Sequence, residues 1–189
     1  MKKIIPFLVL MILGGCDIFS LRESEKPSSP AAWNYFYTDW RLTVQNLQYA
    51  YEDERNVARY SELFMPDFRF YFSAQDINDY NINTVWGRDN ERDMLYNLSS
   101  SEDTDSVIVS LNPIPNQVDD TLSVPVKLYR EYNLKLVKKG SAPAYYSGKM
   151  ELQLVQDHGF WRIQKWYDYR SEVYPTRHTW GKLKYDYSV

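Results

Sequence analysis

Apolar and polar residues alternate along residues 144–169, AYYSGKMELQLVQDHGFWRIQKWYDY, in the rhythm of two long strands. Tyr146, Gly148, Met150, Leu152 and Leu154 share one parity, and Ser147, Lys149, Glu151 and Gln153 share the other. A two-residue period marks a strand with one buried face, and Asp157-His158-Gly159 supplies the turn. The returning strand breaks its own rhythm: Trp161 and Ile163 fall on one parity, Trp166 and Asp168 on the other. One extra residue near Gln164-Lys165, a β-bulge, would bring all four to one side. Without it, Trp166 would lie on the outer face.

Ahead of this hairpin the period lengthens. Ser29-Pro30 reads as an N-cap followed by proline at the first helical position. After it, Trp33, Tyr37, Trp40, Val44, Leu47 and Tyr51 recur at steps of four and three, which predicts one long helix. Asn56 opens a short second helix through Phe64, with Val57, Tyr60 and Phe64 on one side, and Met65-Pro66-Asp67 stops it. Phe68, Phe70 and Phe72 then alternate with polar neighbours as a strand, while residues 74–84 read as an irregular loop. A third helix is predicted over residues 88–99, acidic at its start and apolar at Met94, Leu95 and Leu98. Val107, Val109 and Leu111 begin another strand, and even positions from Leu122 to Leu136 describe a long one ending at Lys138-Lys139-Gly140. Helices first and strands after predict an α+β domain: three N-terminal-half helices packed on a strongly curved antiparallel sheet.

Several of these words together resemble the nuclear-transport-factor-2-like superfamily, which also contains ketosteroid isomerase and scytalone dehydratase. The long first helix carries the resemblance, with the short second one running into Met65-Pro66-Asp67-Phe68. Val85-Trp86-Gly87-Arg88 before the third helix and the Gly159-Phe160-Trp161-Arg162-Ile163 strand add to it. It covers about residues 32–171 and implies a cone, the sheet wrapped around the helices, with a pocket at the open end.

The N-terminus reads differently. Lys2 and Lys3 precede an apolar run from Ile4 to Leu13, about half the ~20 residues that span a bilayer. Leu13-Gly14-Gly15-Cys16 resembles the lipobox of bacterial lipoproteins, which implies cleavage before Cys16 and its lipidation (palmitate among the acyl chains) as a membrane anchor. The expected organisation is therefore a signal peptide over 1–15, lipidated Cys16 with a flexible tether over 16–31, the cone over 32–171, and a tail over 172–189 packing on it. The expected location is the bacterial cell envelope. Asp17, directly after the cysteine, resembles an inner-membrane retention signal and favours that membrane over the outer one.

Composition narrows the chemistry. Cys16 is the one cysteine, so no internal disulfide or thiolate metal site is available. With Lys2 and Lys3 gone, 20 basic residues face 25 acidic ones. An acidic domain without a long basic run makes nucleic acid a poor partner. Seventeen tyrosines and six tryptophans suit either a lined pocket or a contact surface, including a homodimer through the sheet. His158 sits in a turn and His178 in the tail, no metal spacing or phosphate loop is present, and no cofactor is expected.

The candidate pocket residues are Trp86, Arg130, Tyr146, Trp166 and Asp168. Arg130 shares its parity with Leu128, Tyr132 and Leu134, so it either binds an anion in the pocket, pairs internally with a carboxylate such as Asp168, or reaches out at the rim. Asp168 is either a general base with a raised pKa or a hydrogen-bonded structural carboxylate. Trp180 and Leu183 in the tail are expected to cover apolar surface at a sheet edge. The missing catalytic set favours a non-enzymatic module binding a small apolar or amphipathic ligand or a protein partner. A hydratase, dehydratase or isomerase using a pocket carboxylate, and a structural accessory protein with a filled pocket, are the alternatives.

Overall fold

Residues 29–82 and 85–188 are described by the computed structural model; Cys16 and most of the predicted tether lie outside them. Within the unit that begins at Ala31, the helices are α1 (Trp40–Glu52), α2 (Val57–Tyr60), α3 (Ala74–Tyr80), α4 (Arg88–Ser100) and α5 (Trp180–Asp186). The strands are β1 (Phe64–Tyr71), β2 (Thr104–Pro113), β3 (Val126–Lys138), β4 (Ala144–Asp157) and β5 (Phe160–Arg170). They form one sheet in the order β1-β5-β4-β3-β2. It is antiparallel throughout except at its edge, where β1 runs parallel to β5. The α+β class predicted from the element order is therefore the observed one.

The hairpin that dominates the sequence pattern forms the centre of the sheet. His158 (φ 49°) and Gly159 (φ 85°) take the two left-handed positions of its turn, the geometry a right-twisted hairpin requires. The bulge falls at Gln164: Gln153 pairs with Lys165 and Leu154 with Ile163, so Gln164 has no partner. Its effect is the one the parity break demands. Ile163, Trp166 and Asp168 are all buried on the concave side, while Trp161 is only partly covered.

Four boundaries differ from the sequence expectation, each for a local reason. The first helix starts at Trp40, because Asp39 caps it by accepting from the Arg41 amide. The preceding segment is held extended by Asn46, whose side chain accepts from the Asn34 amide and donates to the Asn34 carbonyl. Pro66 does not break β1, since an edge strand tolerates a missing donor. Residues 74–80 are not a loop: Ser73 accepts from the Asp76 amide and starts α3. The long strand begins at Val126 rather than Leu122. Leu122 and Val124, 96% and 84% exposed, lie before the cis Val124-Pro125 bond and outside the ladder.

The helices lie in the curve of the sheet. α1 is tied at one end by Thr43, which donates to the Trp161 carbonyl, and at the other by Glu52, which accepts from the Val109 amide. Val85-Trp86-Gly87 is tied to β1 by the Phe70 amide on the Trp86 carbonyl, which aims α4 into the concavity. No helix among the described residues is long and apolar enough to cross a membrane.

Candidate active site

The open end of the cone is occupied by the chain's own C-terminal segment. Trp180 is fully buried, with its ring edge-on to Trp166 (4.8 Å between centroids), Tyr51 (5.0 Å) and Tyr132 (5.2 Å). Leu183 and Lys184 from the next turn of α5 are also fully buried. The tail does cover apolar surface, as Trp180 and Leu183 suggested, but inside the cone rather than along a sheet edge.

Three buried carboxyl groups hold this segment. Asp168, from β5, accepts from the Tyr132 hydroxyl at 2.7 Å and from the Gly181 amide at 2.7 Å, and Tyr132 accepts in turn from the Trp180 amide at 2.8 Å. Glu91, from α4, accepts from the Trp86 indole at 2.9 Å, the Tyr60 hydroxyl at 2.7 Å and the Lys184 ammonium at 2.5 Å. Asp76, from α3, accepts from Ser73 and Thr179, both at 2.6 Å, and pairs with Arg170 at 2.8 Å. Buried polar groups survive because they are answered in this way.

Gly148 makes the first of these networks possible. A Cβ there would stand 2.4 Å from the Tyr132 hydroxyl and 2.3 Å from the Tyr169 carbonyl. Its absence lets the Tyr132 phenol cross β4 and reach Asp168 on the next strand. Gly181 does the same for the tail, since a Cβ there would stand 3.0 Å from the Asp168 carboxyl.

The electrostatics follow from burial. Asp168 is 1% exposed, and burial pushes its pKa up to about 7, against the pull of the Tyr132 and Gly181 hydrogen bonds. The Tyr132 phenol is raised well above its usual value by burial and by the Asp168 charge. Burial lowers the Lys184 pKa, and the Glu91 charge opposes that. A carboxyl poised near neutrality, hydrogen-bonded to a phenol between apolar walls, is equipped to take and return a proton.

Of the five residues picked from the sequence, Trp166 and Asp168 face the same interior. Trp86 joins them through Glu91. Tyr146 is buried beside His178, whose carbonyl accepts from the Ser147 amide, and it touches none of the three carboxyl groups. Arg130 does not pair with Asp168. Its guanidinium is bidentate to Asp119, with both bonds at 2.7 Å, and also donates to the Tyr129 carbonyl. Asp119 answers its charge from the β2–β3 connection, which removes Arg130 as a free anion-binding group. Glu91 and Lys184 were missed, yet the spacing carries a signal for both. Glu91, Met94, Leu95 and Leu98 fall at i, i+3, i+4 and i+7, and Trp180, Leu183 and Lys184 at i, i+3 and i+4, so each charge rides on an apolar face. Among the described residues no group of three or more His, Cys, Asp or Glu side chains is placed to hold a metal.

No family model matches the chain, and no curated protein matches it in sequence. Solved structures do resemble it. A scytalone-dehydratase-like protein from Novosphingobium aromaticivorans DSM 12444 aligns with TM-score 0.55 and 13% identity, over 68% of this chain and 79% of that one. A nuclear transport factor 2-like superfamily protein from Salmonella enterica serovar Typhimurium aligns with TM-score 0.52 and 11% identity, over 69% and 87%. A type 2 hexachlorocyclohexane dehydrochlorinase (LinA) aligns with TM-score 0.50 and 12% identity, over 67% and 78%. The fold is the nuclear-transport-factor-2-like cone. The expectation of a non-enzymatic binding module is corrected here. The structural neighbours include proteins named for a dehydratase and a dehydrochlorinase, while the interior that a ligand or a substrate would need is filled here by α5.

Proposed function

We propose that the domain is a proton-transfer enzyme of the dehydratase, elimination or isomerase type, held here in a closed state with α5 in the substrate's place. The observation that carries this reading is the Asp168–Tyr132 pair: a buried carboxyl with a pKa near 7, backed by a phenol. In such a reaction the Asp168 carboxylate takes a proton from carbon beside an electron-withdrawing group. The C–H electron pair forms a new double bond. Either a leaving group departs from the neighbouring carbon, or the same proton returns at another carbon. Tyr132 positions the carboxyl through its 2.7 Å hydrogen bond. The dehydratase and dehydrochlorinase names among the structural neighbours agree with this class.

Access to the Asp168 carboxyl requires α5 to withdraw, since that carboxyl is 1% exposed and capped by the Gly181 amide. The test is a panel of β-hydroxy and β-halo carbonyl compounds, with release of water or halide followed for the wild type and Asp168→Asn. A loss of about 10²–10⁴-fold in the variant is expected, and an unchanged rate removes Asp168 as the base. The close packing of Trp180 favours a second reading, a cone permanently filled with no turnover. Amide hydrogen exchange separates the two: α5 amides that exchange only as fast as the β4 core support permanent filling.

We also propose, on the lipobox alone, that Cys16 is lipidated and anchors the domain to a membrane of the bacterial envelope. Cys16→Ala should move the protein from the membrane to the soluble fraction, and retention in the membrane fraction would overturn this.

A further inference from the structure

The tail occupies the cone at two adjoining positions that share the Trp166 ring, and each has a definite chemistry. In the first, the Trp180 ring lies among Tyr51, Tyr132 and Trp166. In the second, the Lys184 ammonium meets the Glu91 carboxyl at 2.5 Å and lies 4.2 Å from the Trp166 ring centroid and 4.7 Å from that of Phe70. A carboxyl plus two aromatic faces is a general recognition set for an organic ammonium ion, whatever chain it is attached to. Glu91 itself is built into the body of the domain, since Trp86 and Tyr60 orient it without help from α5.

Two further observations separate the site from its present occupant. Trp166 is fully buried, and its indole N–H has no hydrogen-bond partner among the described residues, so α5 leaves one donor of the cone unanswered. The tail is joined to the cone mainly through side-chain contacts rather than through the ladder of the sheet. α5 is only seven residues long, too short to be stable alone. The tail meets the ladder of the sheet through a single bridge, Tyr146 with His178. Withdrawing it would break that bridge but none of the pairings among β1 to β5.

We propose that the Glu91 compartment is an ammonium-binding subsite, that α5 is an internal stand-in for its ligand, and that the substrate class is an amphipathic amine. Such a molecule would place an aromatic ring where Trp180 lies and its ammonium where Lys184 lies. The two residues are one helical turn apart, so their Cβ atoms are roughly 5–6 Å apart. This inference rests on the enzyme reading for the word substrate, but its site stands on Glu91 and the aromatic walls.

The test needs no turnover, so its failure is distinct from failure of the Asp168 chemistry. In the full chain, Lys184→Ala empties the ammonium position, and n-butylammonium chloride is the probe. A saturable rise in melting temperature of roughly 3–6 °C is expected at ten times the Kd. 1-Butanol at the same concentrations should give none, and Lys184→Ala combined with Glu91→Gln should not respond to the amine. An equal response to alcohol and amine, or no response to either, overturns the subsite. If Lys184→Ala does not fold, the wild type is titrated with tryptamine, which carries ring and ammonium together. Faster amide exchange over residues 180–186, with the β4 amides unchanged, supports displacement of the tail, and unchanged exchange overturns it.

Discussion

Arg130 and Asp168 stand on one cross-strand row of the sheet, with Met150 between them, and both are buried. They differ in what answers their charge. Arg130 has a fixed opposite charge in bidentate contact, so its neighbourhood has nothing left to exchange. Asp168 is met by neutral donors, a phenol and a backbone amide, which stabilise its anion without cancelling the cost of burial. Burial of a charged side chain therefore does not mark a site by itself. The kind of partner decides whether the group is locked or can titrate.

The largest test of this contrast is the pH dependence of stability. The Asp168 pKa is raised in the folded state, so below the unfolded value of about 3.9 both states hold the proton and burial has no charge to penalise. As pH rises from there to about 7, the folded chain keeps a proton that the unfolded chain releases, and stability falls by up to an order of 4 kcal/mol. Urea denaturation of Asp168→Asn should show that slope removed; a slope equal to the wild type's would assign it elsewhere.

Asp119 should behave in the opposite sense. Burial, the largest single influence, raises its pKa. The Arg130 hydrogen bonds, the Tyr129 amide and the Arg130 and Arg41 charges together outweigh it, and the net shift is downward. Its contribution is present above the unfolded carboxyl value and is lost as pH falls through the lowered folded one. Asp119→Asn should cost about 3 kcal/mol at neutral pH, because it leaves Arg130 buried without its counter-charge, and little at low pH. A neutral-pH loss under about 1 kcal/mol would make the pair no stronger than a surface one. The smallest effect sharpens the frame of the comparison. Leu122→Ser should stay within about 0.5 kcal/mol, since Leu122 lies outside the ladder and in solvent. A larger loss would mean that the strand pattern does extend upstream of Pro125.

Much of the cone was legible because strand parity and helical period are enforced by one-sided burial. The break between Ile163 and Trp166 located the bulge, and the element order located the sheet. The start of α1 was not legible, because Trp33 and Tyr37 keep the helical spacing while sitting in an extended segment pinned by Asn46. Nor was the strand boundary at Val126, since Leu122 and Val124 alternate correctly but pair with nothing. Of the site, Asp168 could be named from its parity, whereas its partners could not. Tyr132 reaches it only through the gap at Gly148, and Lys184 reaches Glu91 across 93 residues of sequence. Such meetings depend on the closed fold and leave no local pattern.

The position of α5 also makes the core depend on one short segment. It is the last of the described elements to leave the ribosome, yet it supplies Trp180, Leu183 and Lys184 to the middle of the core. A chain cut before Thr179 would leave Asp76, Asp168 and Glu91 without Thr179, the Gly181 amide and Lys184 respectively. Such a cone would be hollow and acid-lined with exposed aromatic walls, the kind of species that chaperones hold. Seven residues of helix thus close the core from within.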